Sequence, residues 1–306
     1  MTSLRPPFAS LVPEIEELLP GKSLQVHLCL CAILSGGHVL IEDAPGMGKT
    51  TLAYFISKAL GFNLNRIQFT NDLLPADILG SNVFHPHSGK FELRKGPLFG
   101  EMILADELNR APAKTQSALL QAMEEKFITI EGESYPLSPL FTVLATQNPR
   151  GMSGTFALPE SQLDRFQFKF SMGHPPREAE LRLIQASSRR VAIDQMKAQL
   201  SPVDIKQMRQ EVERVKTSPE LASYVLRLLE NSRLRSSQRG LSSRAGIDIM
   251  KASKAWAYIH AREHVLPDDV QKVFPYVCGH RLPMQELGSQ REIELAFEIM
   301  KDVSVL

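Results

Sequence analysis

The sequence predicts an α/β fold: a five-stranded parallel, doubly wound sheet followed by a small all-helical domain. Three observations carry this. Residues 38–60 read as strand, glycine-rich loop and helix in that order. Four or five short apolar strands alternate with helices as far as Met172. After His174-Pro175-Pro176 no β pattern recurs and only helical stripes follow.

The chain is organised around His38-Val39-Leu40-Ile41-Glu42-Asp43-Ala44-Pro45-Gly46-Met47-Gly48-Lys49-Thr50-Thr51. The first half is a buried strand and the second a phosphate-binding loop. Leu52, Phe55, Ile56 and Leu60 then recur at helical spacing. Gly46 and Gly48 can take backbone angles closed to other residues, so their amides can turn toward phosphates. Lys49 offers a point charge to the β- and γ-phosphates, and Thr50 offers a hydroxyl to Mg²⁺. The helix begins there and points its positive end at the same phosphates. One residue departs from the full pattern: Asp43 stands where its first glycine is expected, and Asp tolerates turns better than most residues.

The other elements follow in order. Residues 14–35 read as one or two helices broken at Pro20-Gly21, and Gly36-Gly37 releases the chain into the first strand. Leu64–Thr70 is a second strand. Val83-Phe84 and Phe91–Leu93 flank Ser88-Gly89 as a hairpin, either a partner contact or a cover for a sheet edge. Met102–Asp106 is an apolar strand whose end, Asp106-Glu107, places two carboxylates where open α/β sheets bind ligands. A helix over 113–125, a second hairpin around Gly132, and a strand from Phe141 to Thr146 ending in Gln147-Asn148-Pro149 follow. A glycine-rich loop at 151–154, a short helix from Pro159 to Phe166 and a strand from Gln167 to Met172 complete the first part. The second part carries stripes at Leu221, Tyr224, Val225, Leu228, Leu229 and at Ala245, Ile249, Ala252, Trp256, Ile259, with another helix starting at Pro267. Trp256 reads as core.

Composition narrows the class. The 306 residues suit about two domains. A hydrophobic content of 43% and a charged content of 23% are those of an ordinary globular protein. The net charge of +1 argues against a chain built as a whole for nucleic acid or an anionic membrane. The longest apolar run, Leu28 to Leu34, is too short to span a bilayer, and no secretory signal opens the chain. Cys29, Cys31 and Cys278, an odd set, suit buried reduced thiols. A cytoplasmic location is the resulting expectation.

Lys49, Asp106, Glu107, Asn148, Arg165 and Arg244 form the candidate constellation. Each has a structural alternative: Lys49 on the surface, Asp106 and Glu107 capping a helix, Asn148 in a turn before Pro149, Arg165 pairing with Asp164. Jointly they sit where a nucleoside triphosphate engine needs them.

The set resembles AAA+ ATPases and, within them, the MoxR family. The resemblance rests on the loop from Glu42 to Thr50, on Leu104-Ala105-Asp106-Glu107-Leu108-Asn109-Arg110-Ala111-Pro112, and on Thr146-Gln147-Asn148-Pro149. Leu163-Asp164-Arg165-Phe166 and Ser242-Ser243-Arg244-Ala245 extend it, so that it covers residues 20–275. It implies an AAA+ nucleotide-binding core over 1–175 and a helical lid over 176–306. It implies ATP/ADP and Mg²⁺ as cofactors, with Gly21, Asp43, Ala44, Pro45, Gly46, Met47, Gly48, Lys49, Thr50 and Thr51 around the nucleotide, and Thr50 and Asp106 at the metal. Glu107 would polarise the attacking water, Asn148 act as first sensor, Arg165 serve a neighbouring subunit's nucleotide, and Arg244 reach from the lid as second sensor. Ser243 stands where the family often has proline. The resemblance further implies a homo-oligomeric ring, a hexamer, acting as a chaperone-like remodeller on a partner with a von Willebrand factor A domain.

Two other readings remain. Arg227–Lys254 holds seven basic and two acidic residues, which a DNA-acting ATPase would present to a pore; a solvated face is the alternative. A nucleotide-gated binding module with little turnover would need Glu107 or Arg165 out of place.

Overall fold

The structure is a computed structural model and describes residues 4–87, 89–149, 156, 158–185, 196–235, 240–282 and 289–305. Among these, nine strands form: β1 (Val39–Glu42), β2 (Leu64–Gln68), β3 (Gly80–His85), β4 (Lys90–Lys95), β5 (Met102–Asp106), β6 (Phe127–Ile130), β7 (Glu133–Pro136), β8 (Thr142–Gln147) and β9 (Phe168–Phe170). Five make one parallel sheet in the order β2-β5-β8-β1-β9, and the others pair as two separate hairpins. β1 is thus flanked on both sides, with Val39 opposite Leu144 on one side and Phe168 on the other. β1, β5 and β8 are buried at every position, because a parallel sheet is covered on both faces. That explains their unbroken apolar runs. The more polar Leu64–Gln68 lies at the edge of the sheet, and of its residues only Ile67 is buried.

Six helices belong with this sheet: α1 (Pro6–Leu18), α2 (Ser23–Ser35), α3 (Lys49–Ala59), α4 (Pro75–Leu79), α5 (Ala113–Glu125) and α6 (Glu160–Leu163). α1 begins at Pro6, earlier than residue 14, and α4 lies in a stretch that carries no helical period. The break between α1 and α2 needs a glycine. Gly21 has φ +76°, and a Cβ there would lie 2.5 Å from the Pro176 ring. The loop expected at 151–154 lies outside the described residues.

Among its described residues the second part carries the helices α7 (Arg177–Gln185), α8 (Pro202–Glu213), α9 (Pro219–Arg235), α10 (Ser243–Ile259), α11 (Pro267–Cys278) and α12 (Ser289–Lys301), and no strand longer than a single bridge. The three cysteines are free and buried. Trp256 is core, stacked on His260 at 4.9 Å.

One apolar cluster fills the sheet face under α1–α3 and continues without a break into α8–α12. A second fills the other face under α5 and the hairpins. α1 and α2 therefore lie between the sheet and the helical bundle. Arg5, before α1, donates to the Tyr258 carbonyl and stacks its guanidinium 3.9 Å from the Tyr258 ring. Arg209 of α8 donates to the carbonyls of Ile33 and Pro139, both at 2.7 Å, and to Thr142 Oγ1 at 3.2 Å.

Candidate nucleotide-binding site

The loop after β1 has the backbone its glycines allow. Gly46 (φ +83°) and Gly48 (φ +85°) are both left-handed, and space is open where a Cβ on Gly46 would stand, so the demand there is conformational, not steric. Ala44, Pro45 and Gly46 are exposed, whereas Met47 packs partly against the core. Lys49 opens α3 and is buried. Its ammonium donates to the Asp43 carbonyl at 2.5 Å and to the Gln147 carbonyl at 3.4 Å. Burial lowers its pKa, and the carboxylates of Asp43, Asp106, Glu107 and Glu42 oppose that shift. Thr50 and Thr51 follow on the first turn of α3, both partly exposed.

Asp43 is not left-handed, so its position does not require the missing glycine. Its Oδ1 accepts the Ala44 amide and its Oδ2 accepts the Gly173 amide, both at 2.8 Å. That ties the loop to the exit of β9. Lys22 ties the same exit to the α1–α2 turn, donating to the carbonyls of Met172 and Gly173 at 2.7 Å each. Gly21 is thereby held beside the loop.

The two carboxylates leave β5 in different directions. Asp106 Oδ1 accepts the Thr146 hydroxyl at 2.6 Å, while Oδ2 accepts Thr50 Oγ1 at 3.4 Å. Glu107 is left-handed (φ +58°), a backbone state costing a non-glycine residue about 1–3 kcal/mol. The turn swings its carboxylate toward β8. There Oε1 accepts Asn148 Nδ2 at 3.3 Å, and Oε2 accepts Gln68 Nε2 at 3.0 Å and faces Arg110 Nε at 3.2 Å. The Glu107 amide donates to Thr146 Oγ1 at 3.0 Å, so Thr146 fixes both acidic residues. Asn109 and Asn148 hold each other through side chain and backbone.

Thr50 and Asp106 present hard oxygens to one point. They suit Mg²⁺, which takes few protein ligands and keeps waters or phosphate oxygens for the rest. Among the described residues no group of three His, Cys, Asp or Glu forms a metal cage.

Arg165 and Arg244 are not brought to this end of the sheet. Arg165 lies three residues before β9, and Arg244 lies in the first turn of α10. Both reach Glu124, at the end of α5. Arg165 Nε and Nη2 lie 2.9 and 2.8 Å from Glu124 Oε2, and Arg244 Nη1 lies 3.4 Å from Oε1. Arg244 Nε also faces Asp164 at 3.7 Å. His38, Lys126, Asp248 and Lys251 line the same recess. His38 precedes β1, whereas the phosphate loop follows it, so the arginine pair sits at the opposite strand ends. Within one chain Arg244 therefore does not reach across to Lys49 and Asp106.

Motif reading missed Gln68 and Arg66, and it gave no role to Arg110, Thr146 and Asn109, which lie inside the quoted motifs. The register of β2 on β5, with Gln68 opposite Asp106, places the first two at the site.

Comparison with known proteins places the fold in a family. Residues 38–168 match the ATPase family associated with various cellular activities (AAA), and residues 235–300 match the AAA lid domain. The chain is 39% identical over 306 residues to YeaC of Bacillus subtilis, an uncharacterised protein, covering 99% of this chain and 96% of that one. It is 36% identical over 280 residues to the chaperone MoxR1 of Mycobacterium tuberculosis, covering 88% and 74%. A crystal structure of a candidate ATPase from Cytophaga hutchinsonii superposes with a TM-score of 0.80 at 34% identity, covering 96% of each chain. The chain belongs to the MoxR family of AAA+ ATPases.

Proposed function

We propose that the chain is a ring-forming, Mg²⁺-dependent remodeller whose ATP site is completed between two copies. The carrying observation is the separation of its charged groups. Lys49, Asp106, Glu107 and Asn148 meet at one end of the sheet, while Arg165 and Arg244 share Glu124 at the other. Head-to-tail contacts that bring one end against the other close into rings when the rotation allows. This reading moves Arg244 from its own chain's nucleotide to its neighbour's.

The roles follow from the atoms. The loop amides and Lys49 bind the phosphates. Bound Mg²⁺ would be held by Thr50 and Asp106 and would neutralise phosphate charge. Glu107 accepts a proton from the attacking water, and Asn148 orients its carboxylate through the 3.3 Å contact. Arg165 and Arg244 supply positive charge to the phosphates of the adjacent copy.

Mixing Arg165→Ala subunits with Lys49→Ala subunits tests this. Each alone is inactive. Mixed rings regain activity at interfaces where an intact loop meets an intact arginine. No recovery at any ratio, with mixed assembly verified by mass spectrometry, contradicts a shared site.

We extend the reading to a hexamer acting on a partner with a von Willebrand factor A domain, whose assembly, metal loading or activation is coupled to turnover. Family membership supports this, together with the exposed faces of the hairpins β3–β4 and β6–β7. A DNA-acting role is disfavoured by the basic stretch 227–254. Its Arg227, Arg233 and Lys254 donate to backbone carbonyls, and Arg235 pairs with Glu298 and Asp302.

A further inference from the structure

Asp106 carries a cationic neighbour that none of the phosphate-site motifs contains. Arg66, on edge strand β2, extends along the sheet so that its Nη2 lies 2.7 Å from Asp106 Oδ2 and 3.0 Å from Gln68 Oε1. Its side chain is 45% exposed, against 10% for Asp106. The two Asp106 oxygens are not equivalent. Oδ1 is taken by the Thr146 hydroxyl at 2.6 Å. Oδ2 faces Thr50 Oγ1, and this is the oxygen that Arg66 occupies. The atoms offering themselves to a divalent cation and the guanidinium therefore converge on one carboxylate oxygen.

We propose that Arg66 is the resident counter-cation of Asp106 and yields when a divalent cation enters with nucleotide, so that it sets how strongly nucleotide binding depends on the cation. The inference rests on the assignment of Asp106 to the metal. Its physical basis is competition for one face of a carboxylate. Without a divalent cation, the guanidinium neutralises Asp106 and reduces repulsion of the incoming phosphates. When the cation arrives, the same ion pair opposes it. The guanidinium has somewhere to go: half its surface is already in water, and Gln68 accepts one of its N–H groups. Arg66 is a positioning residue. It need not touch nucleotide in either state.

Removing its charge therefore has two effects with the same consequence. Nucleotide binds more weakly in EDTA, and the cation binds more tightly. A half-exposed ion pair is worth little, so each effect is a factor of about two to three. The ratio of the dissociation constant in EDTA to that in Mg²⁺ rises about four- to ninefold.

The experiment is a fluorescence titration of methylanthraniloyl-ADP, in EDTA and in MgCl₂, for the parent, Arg66→Gln, Arg66→Lys, Asp106→Asn and the Arg66→Gln/Asp106→Asn double variant. ADP removes hydrolysis from the readout. The expected result is a raised ratio in Arg66→Gln, a ratio near the parent's in Arg66→Lys, and no effect of Arg66→Gln once Asp106 is Asn. If Arg66→Gln weakens binding equally with and without Mg²⁺, the arginine contacts phosphate directly and the proposal falls. It also falls if Arg66→Lys shifts the ratio as much as Arg66→Gln does. If Mg²⁺ strengthens binding in the parent and not in Asp106→Asn, yet Arg66→Gln leaves the ratio unchanged, only the Arg66 inference is overturned. If Mg²⁺ has no effect even on the parent, the assignment of Asp106 to the metal fails with it.

Discussion

Lys169→Met tests a buried charge network that joins the C-terminal helix to the site. Lys169 is 5% exposed on β9. Its ammonium lies 3.1 Å from Glu42 Oε2 and 2.9 Å from both oxygens of Glu292, on α12. Glu42 also accepts from Gln147 and directly precedes the phosphate loop, while Gln147 directly precedes Asn148. Met keeps the length and apolar stem of Lys, so little packing is lost. What remains is two carboxylates stripped of their cation. Breaking a buried pair costs about 3–5 kcal/mol. Glu292 keeps some access to water, which places the expected loss near the lower end, about 3 kcal/mol. At roughly 2–4 °C per kcal/mol for a chain of comparable size, the melting temperature drops by about 6–12 °C. Calorimetry and urea titration of the purified variant measure it. Adding Glu292→Gln to Lys169→Met removes one stranded charge and recovers part of the loss, because the two sites are coupled. A loss below about 1 kcal/mol, or additivity of the two substitutions, refutes the network as the link between α12 and β1.

Stability should also fall on mild acidification. His38 and His280 are buried, and burial first, then Lys126 beside His38 and Arg281 beside His280, holds each pKa well below the usual imidazole value. The Val143 amide, donating to His38 Nδ1 at 2.9 Å, further excludes a proton there. Unfolded histidines take up protons near pH 6.5 while these do not, so the stabilisation is complete above pH 6.5 and is lost as pH drops below it. The slope is at most about 1.4 kcal/mol per pH unit for each histidine; identical urea midpoints at pH 7.5 and 5.5 contradict the buried neutral state. The β3–β4 hairpin exposes Phe84 and Phe91 with ring centroids 5.3 Å apart. Shortening it about Gly89, or β6–β7 about Gly132, should weaken binding of a von Willebrand factor A partner several-fold while sparing basal ATPase activity. Parental affinity in both shortened proteins removes the hairpins as the recognition surface.

Much of this architecture was legible in the sequence because its central strands β1, β5 and β8 are short, fully buried and punctuated by glycine or proline. α5 forms over 113–125 as its period implies, and both hairpins turn about Gly89 and Gly132. α8 was missed although Ile205, Met208 and Val212 are its buried face, because charged residues dilute that spacing. α4 is a single turn set by Pro75 and Asp77, too short to show a period. At the site, linear motifs located Lys49, Thr50, Asp106, Glu107 and Asn148. They were silent on Arg66 and Gln68, whose placement depends on the register of β2 against β5. The place of Arg244 was illegible for a related reason: only its ion pair with Glu124, at the end of α5, shows which strand ends it faces. Asp43 departs from the loop pattern in sequence, yet its carboxylate makes two backbone hydrogen bonds that a glycine could not.

The most direct measurement is steady-state ATP hydrolysis of the parent beside Glu107→Gln, with ATP binding measured on the same samples and Lys49→Ala as the control for the phosphate contact. Glu107→Gln keeps the hydrogen bond to Asn148 within reach but removes the proton acceptor. Turnover should drop at least about a hundredfold, the usual scale for a lost general base, while ATP affinity stays within a few-fold of the parent. Lys49→Ala should lose affinity as well. Hydrolysis by Glu107→Gln at the parental rate would contradict Glu107 as the group that activates water.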